Sequence, residues 1–422
     1  MNDVDRETAV ILERFGFDEP QFEVLRARVA SGELSLETNL IRGSIEPPSP
    51  DEIARLPAPG DADYEATREA GLDSLRRGEV AQVVLAGGMA TRFGGVVKAV
   101  LTAVDGLSFL EAKLVQTAAL EREVGIKVPV ALMTSFATDA AIRAHVVERE
   151  LGEPLVFNQF VSLRLERSGE LFRDAGGLPS LYAPGHGDLF PALRGSGTLD
   201  TLRDRGVRLV TVSNVDNLGA RVDPAVIGAH LASGRPLTCE VARKEGDLGG
   251  APVRVDGLLQ LVEGPRFPPD FDQELVPVFN TNTAVVHIDT LDADYDLSWL
   301  YVLKDVDGRS AVQLERLYHE VSAFVPAQSD SKTSTIRFTT RASRTMTPIS
   351  RRASSSSLRR LWLPTKAARP SRTIARTCSR LPGYFSAVSS WLLASLPRTR
   401  TSTPARALAL SRRTIARSVT AP

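Results

Sequence analysis

The sequence predicts an α/β fold: a mostly parallel, open sheet flanked by helices, preceded by a helical N-terminal segment and followed by a basic tail that does not pack as a domain. Three observations carry that prediction. The apolar runs at 83–85 (VVL), 128–133 (VPVALM) and 207–214 (VRLVTVSN) are rich in β-branched residues and lack polar alternation, as strands covered on both faces do. Amphipathic helical stretches separate them, and strand–helix–strand alternation is the mark of βαβ units. The charge is split: residues 329–422 hold 19 Lys and Arg against the single acid Asp330, so a formal net charge of zero hides +18 there and −18 before it.

Taken in order, residues 1–75 read as a helical N-terminal segment of short amphipathic helices with a proline-rich stretch, EPPSPDEIARLPAPG, which is a cap over a site or simply a helical layer. Residues 76–328 are the core. The stretch LSFLEAKLVQTAALEREVG is helical, with Ser108 placed as its N-cap. Shorter strands follow in LTCEVAR, APVRVDG, LLQLVEG and PVFNTNTAVVHI, as in an appended mixed sheet, and SAVQLERLYHEVSAFV reads as a closing helix. About 330 ordinary residues fit one large α/β domain plus an accessory segment, at ~100–200 residues per domain. Two cysteines, Cys239 and Cys378, exclude a disulfide framework, and Cys239 sits in an apolar core run. No signal-peptide pattern and no apolar run of about 18 residues is present, so a cytoplasmic protein with no membrane partner is expected.

The segment most informative for chemistry is QVVLAGGMATRFGGVVKAV, from Gln82 to Val100. A strand runs into Gly87-Gly88, where no Cβ keeps backbone N–H groups from a phosphate. Arg92 and Lys98 supply cationic charge suited to a triphosphate. The loop matches neither GxxxxGK[ST] nor GxGxxG, and a glycine turn after a strand also has a purely structural reading. Ligands of open parallel sheets gather at the C-terminal strand ends. There the sequence places three more polar, glycine-bearing or amide-bearing segments: FNQF (157–160), PGHGDLF (184–190) and SNVDNLGA (213–220).

In this order, LAGGMATRFGG with Lys98, FNQF, PGHGDLF, VSNVDNLGA, Gly249-Gly250, LVEG with Glu263, and FNTNT (279–283) resemble the UTP–glucose-1-phosphate uridylyltransferases, the UDP-sugar pyrophosphorylases, over about residues 80–325. The resemblance implies a Rossmann-like, GT-A-like nucleotidyltransferase core, with UTP and a hexose 1-phosphate as substrates and Mg²⁺ as cofactor. It implies nucleotide contacts at Leu85, Ala86, Gly87, Gly88, Gln159 and Gly185, Gln159 offering the donor and acceptor that a uracil edge needs. It places His186, Asn214, Asp216, Gly250, Glu263, Asn280 and Asn282 about the sugar phosphate. Asp216 suits Mg²⁺, which takes one or two carboxylates plus phosphate oxygens; the competing reading is a turn aspartate capping a helix. Gln159 has the alternative of an exposed strand-end amide, Asn280 of a backbone binder, and Gly249-Gly250 of a tight turn. Transfer to the α-phosphorus needs no covalent protein intermediate, so Arg92 and Lys98 would act by positioning and neutralising charge.

The sequence departs from the family's pattern at Ala90, where a glycine is common, and beyond Val325, where a lysine in a Pro-Val-Lys context is expected before a β-helix. Instead comes the tail, residues 329–422, with 17 Arg and with Ser and Thr making 32 of its 94 residues. It reads as an arginine-rich nucleic-acid-binding arm, a natural extension, or out-of-frame translation; the abrupt switch inside a domain favours the last, and with it no nucleic-acid partner. The functions to separate are uridylyl transfer, non-catalytic nucleotide-sugar binding by an inactive homologue, and nucleic-acid binding through the tail. Homo-oligomerisation is left open.

Overall fold

A computed structural model describes residues 4–90, 95–245 and 249–325 and the backbone of 336–340. Its centre is an eight-stranded mixed sheet. In chain order the strands are β1 (Ile53–Arg55), β2 (Val80–Leu85), β3 (Val130–Thr134), β4 (Leu155–Asn158), β5 (Leu209–Asn214), β6 (Leu237–Arg243), β7 (Val278–His287) and β8 (Ile336–Thr340). They lie side by side as β1-β8-β6-β7-β5-β2-β3-β4. β5, β2, β3 and β4 are mutually parallel. β7 runs antiparallel to both β5 and β6. The three apolar runs of the sequence are β2, β3 and β5, and their lack of alternation has a direct cause. Val83 packs with Leu189, Leu193 and Val212 on one face, while its neighbour Val84 packs with Leu110, Leu132 and Ile142 on the other. Each such fully buried side chain contributes ~1.5–3 kcal/mol.

The helices cover these faces. Phe109–Val124 opens on Ser108 in a reciprocal capping box with Glu111, as its sequence predicts, and ends at Gly125 in the left-handed conformation. Tyr64–Arg76 crosses Pro224–Ser233, and their Leu72, Leu75, Val226 and Ile227 meet Val80, Leu209 and Val285 of the sheet. The N-terminal helices Arg6–Arg14 and Glu19–Ala30, capped by Asp5 and Asp18, place Leu12, Phe22, Leu25 and Val29 against Leu163, Val312 and Leu314. They form a layer over a hairpin. The first 75 residues are not purely helical, because Ile45–Glu46 pairs with Ala251–Val255 and β1 joins the main sheet.

Two expectations are corrected. SAVQLERLYHEVSAFV is not a helix: Arg309–Glu315 is a strand hairpinned to Leu300–Val306, and Tyr318–Ala323 is a 3₁₀ segment. The turn is Asp307-Gly308, both at positive φ, which favours a tight hairpin, and Ala311–Leu314 are all buried, so no strand alternation marked them. Within the segment read as a tail, residues 336–340 form β8, which pairs in parallel with β6 and β1. The remainder of 329–422 lies outside the described residues. Among the described residues, no helix is long and apolar enough to cross a membrane.

Candidate functional site

The parallel register brings the strand ends together. Leu85 lies opposite Asn214 across β2 and β5, Leu85 faces Met133, and Thr134 faces Asn158. The chain leaves each strand at the same sheet edge. After β2, Ala86 continues the ladder by donating to the Met133 carbonyl at 2.8 Å. Gly87 then passes so close to Gln159 that a Cβ there would stand 2.3 Å from the Gln159 amide nitrogen, so only glycine lets this buried amide reach the loop. The Ser135 hydroxyl donates to the Gly87 carbonyl at 2.9 Å and fixes that turn. Met89–Ala90 pairs with Val96–Val97, which brings Gly88 beside the Lys98 stem. Arg92 lies outside the described residues.

Lys98 donates to Asp216 at 2.9 Å, and the two side chains are 40% and 35% exposed. The proposed phosphate cation and the proposed metal carboxylate therefore neutralise one another at a half-open position. Asn217, next in the chain, donates to the Thr281 carbonyl at 3.2 Å, tying this loop to β7.

The other half of the site is a ladder of amides. The register between β6 and β7 jumps at Glu240/Val241, so that Thr281 and Asn282 bulge out of the pairing, and Asn282 takes φ 56°. A bulge re-aims a side chain. Asn282 donates through its amide to Asn214 at 2.7 Å and through its backbone to the Asn280 side-chain oxygen at 3.0 Å. The Asn280 amide reaches His319 Nδ1 at 3.3 Å and Glu263 at 3.4 Å. Gly250 accepts from the Asn280 backbone at 2.7 Å, and a Cβ on it would strike Glu263 Oε2 at 2.8 Å. Burial pushes the Glu263 carboxyl up to about 7. Five of the predicted sugar-side positions, Asn214, Gly250, Glu263, Asn280 and Asn282, thus join one hydrogen-bonded network, while Asp216 bonds to Lys98.

His186 enters it through Tyr318, whose backbone N–H donates to His186 Nδ1 at 3.1 Å. Accepting there leaves the proton on Nε2, and burial holds the ring neutral, down to about 4. Gly185 adopts φ 97° against the Arg316 carbonyl, a conformation and a closeness that suit glycine. Its neighbour His186 joins it to the site. Asp188, completely buried, accepts from Arg316 at 2.7 Å and from the Phe160 backbone at 3.1 Å, so it binds PGHGD to FNQF.

Several contributors carry no sequence signal of their own. Ser135, Arg316, Tyr318 and His319 act through partners more than thirty residues away. His319 is fully buried, and among the described residues its Nε2 has no hydrogen-bond partner, like the Tyr318 hydroxyl and the Asn282 Oδ1. Asp188 stands in the motif PGHGDLF, whereas Arg316, Tyr318 and His319 stand in a stretch whose sequence reads only as a helix. A cavity of about 160 Å³ lined by Phe17, Phe22, Leu163 and Leu171 lies under the N-terminal helices and contains none of these residues. Among the described residues, no three His, Cys, Asp or Glu converge on a metal position.

The fold is the one shared by solved structures of UDP-sugar pyrophosphorylases. The solved structure of UDP-glucose phosphorylase from Trypanosoma brucei superposes with a TM-score of 0.62 at 22% identity, over 78% of this chain and 74% of that one. The profile of the UTP–glucose-1-phosphate uridylyltransferase family matches residues 21–320, and the chain belongs to that family. It is 31% identical over 256 residues to the UTP–glucose-1-phosphate uridylyltransferase of Hordeum vulgare, covering 55% of this chain and 53% of the relative. With the Saccharomyces cerevisiae enzyme of that name it shares 30% over 273 residues, covering 61% and 52%. The chain spans about half the length of these curated relatives.

Proposed function

We propose that this protein transfers a uridylyl group from UTP to a hexose 1-phosphate, glucose 1-phosphate foremost, releasing pyrophosphate and forming UDP-glucose. The observation that carries this reading is the position of the Lys98–Asp216 pair, between a backbone-lined loop facing Gln159 and the ladder Asn214–Asn282–Asn280–Glu263. A phosphate oxygen of the sugar phosphate bonds to the α-phosphorus, the α–β bridging P–O bond breaks, and pyrophosphate leaves with the electron pair. No proton has to move. Lys98 exchanges Asp216 for phosphate oxygens and stabilises charge on the leaving group. Arg92 is the second cation by sequence alone. Neutral His186 offers its Nε2–H to phosphate or sugar, and Gln159 reads the base. Asp216 has one half-exposed carboxylate, which fits Mg²⁺; the ion would screen triphosphate charge. Pyrophosphate release from UTP and glucose 1-phosphate is the test; no release, with UDP-glucose still bound in calorimetry, would leave a binder.

That second reading has an observation behind it. The strand that follows the core, Ile336–Thr340, contains no lysine, where the family resemblance calls for one. We propose that residues 329–422 are out-of-frame translation. The nucleotide sequence around codon 328 decides this: neither alternative frame encoding a Pro-Val-Lys strand and β-helix repeats would sink it.

A further inference from the structure

Between β5 and the helix Pro224–Ser233 runs the loop 214–220, which carries Asn214 and Asp216. Its fastening to the helix Phe109–Val124 goes beyond what uridylyl transfer alone assigns. Lys113 of that helix is fully buried, and its ammonium donates to the Ser213 hydroxyl at 2.9 Å and to the Ala220 carbonyl. Those two acceptors flank the loop on either side. Three residues further along, on the same helix face, Gln116 donates to the Leu218 carbonyl at 3.0 Å. Across the loop, Asn217 accepts from the Ala220 backbone and donates to β7. Asn217, Leu218 and Ala220 are thereby each held by a side-chain bond, while Asp216 is left pointing at Lys98.

Packing alone does not call for these side chains. A buried ammonium is costly to desolvate, and a Met of similar length would fill the same helix face. What an ammonium adds is several donors at one point. The helix itself is a firm base, because its first turn is locked by the Ser108–Glu111 capping box.

We infer that Lys113 and Gln116 are positioning residues, a two-point clamp through which the helix Phe109–Val124 holds Asp216 where it can meet a nucleotide. Neither touches substrate. The inference rests on the reading of Asp216 as a working carboxylate, so its test has one arm that does not.

The test compares the full chain with Gln116→Leu and Lys113→Met by amide hydrogen exchange, and measures UTP affinity in the presence of Mg²⁺ by calorimetry. The clamp requires exchange across 214–220 to rise about tenfold or more in either variant, with Phe109–Val124 and β5 up to Ser213 unchanged. UTP binding should weaken roughly tenfold in step, a loss of order in the loop being met on binding. Exchange at parental rates across 214–220 in Gln116→Leu overturns the inference, and so does faster exchange spread evenly over the helix and β5, which would make both residues merely structural. If Lys113→Met does not fold, Gln116→Leu decides alone. If the parent binds no UTP, the proposed activity falls while the exchange arm still judges the clamp.

Discussion

The two halves of the site are held by different physics. On the proposed nucleotide side, Leu85 to Gly88 and Gln159 are set by strand register and by glycine backbone, and the charges of Lys98 and Asp216 stand half in solvent. On the sugar side, Asn214, Asn280, Asn282, Glu263 and His319 hold one another through a partly buried ladder, and Glu263 is pushed toward neutrality by its surroundings. A half-exposed ion pair is worth ~0–1 kcal/mol to the fold. A buried amide or carboxyl that loses its partner costs more. Function and stability should therefore separate on the nucleotide side and remain coupled on the sugar side.

Lys98→Ala tests the first half most severely. Its loss should leave the melting temperature close to the parent's and cut pyrophosphate release by ~10²–10³, the usual consequence of removing one donor aimed at transition-state charge. Parental turnover in this variant would remove Lys98 from the chemistry. Asp216→Asn should do less. It keeps shape and removes a charge-assisted contact of ~1.5–3 kcal/mol, roughly tenfold to a hundredfold in rate, with partial recovery as Mg²⁺ is raised. An unaltered Mg²⁺ dependence would return Asp216 to the role of a turn residue.

On the sugar side the lever is pH. Burial raises the Glu263 carboxyl from 4.5 to about 7 in the folded protein. Between those values the folded state keeps a proton that the unfolded chain has released, so Glu263 favours folding fully below about 4.5, and that contribution is lost as pH rises through about 7. Glu263→Gln does not titrate. Its stability relative to the parent should climb by on the order of 2 kcal/mol across that window and then level off. The histidines His186 and His230, held neutral down to about 4, add stability as pH rises toward about 6.5, opposite in sign to Glu263; parent and variant share that slope, so it cancels in their difference. Urea melts at several pH values give the answer; parallel curves for both proteins would mean that Glu263 is not held neutral.

The same division explains what the sequence disclosed. The nucleotide side is local: Val80–Leu85, the glycines after it and the Ser108 cap are contiguous patterns, and the chain writes them where the structure has them. The sugar side was legible only as motifs, through family resemblance, because its geometry comes from long-range contacts. Nothing near residue 319 announces that His319 meets Asn280, nor near 188 that Asp188 meets Arg316. The hairpin at 300–315 was missed although Asp307-Gly308 marks its turn, since four consecutive buried residues read equally well as helix. β8 was missed because IRFTT is short and sits in an arginine-rich composition, yet a strand flanked on both sides needs chiefly backbone partners, which β6 and β1 supply.

The finest probe of the comparison is Asn282→Gly. Asn282 sits at φ 56° in the β7 bulge, a conformation that glycine adopts without strain. The substitution relieves backbone strain and deletes the unpartnered Oδ1, and it removes the 2.7 Å bond to Asn214. Added freedom of the unfolded chain costs ~0.5–1 kcal/mol, and the lost bond about as much again. With strain relief set against both, net stability should move by no more than about 1 kcal/mol. Glucose 1-phosphate binding should weaken by up to roughly tenfold, since one positioned amide is gone and 1.4 kcal/mol is a factor of ten, while UTP affinity holds. Calorimetry with each ligand in turn separates the outcomes. Equal losses for both ligands would mean that Asn214 transmits the change across to Leu85 and that the two halves are one unit. No loss for either would make Asn282 a bulge residue whose ladder of amides serves the sheet and not the sugar.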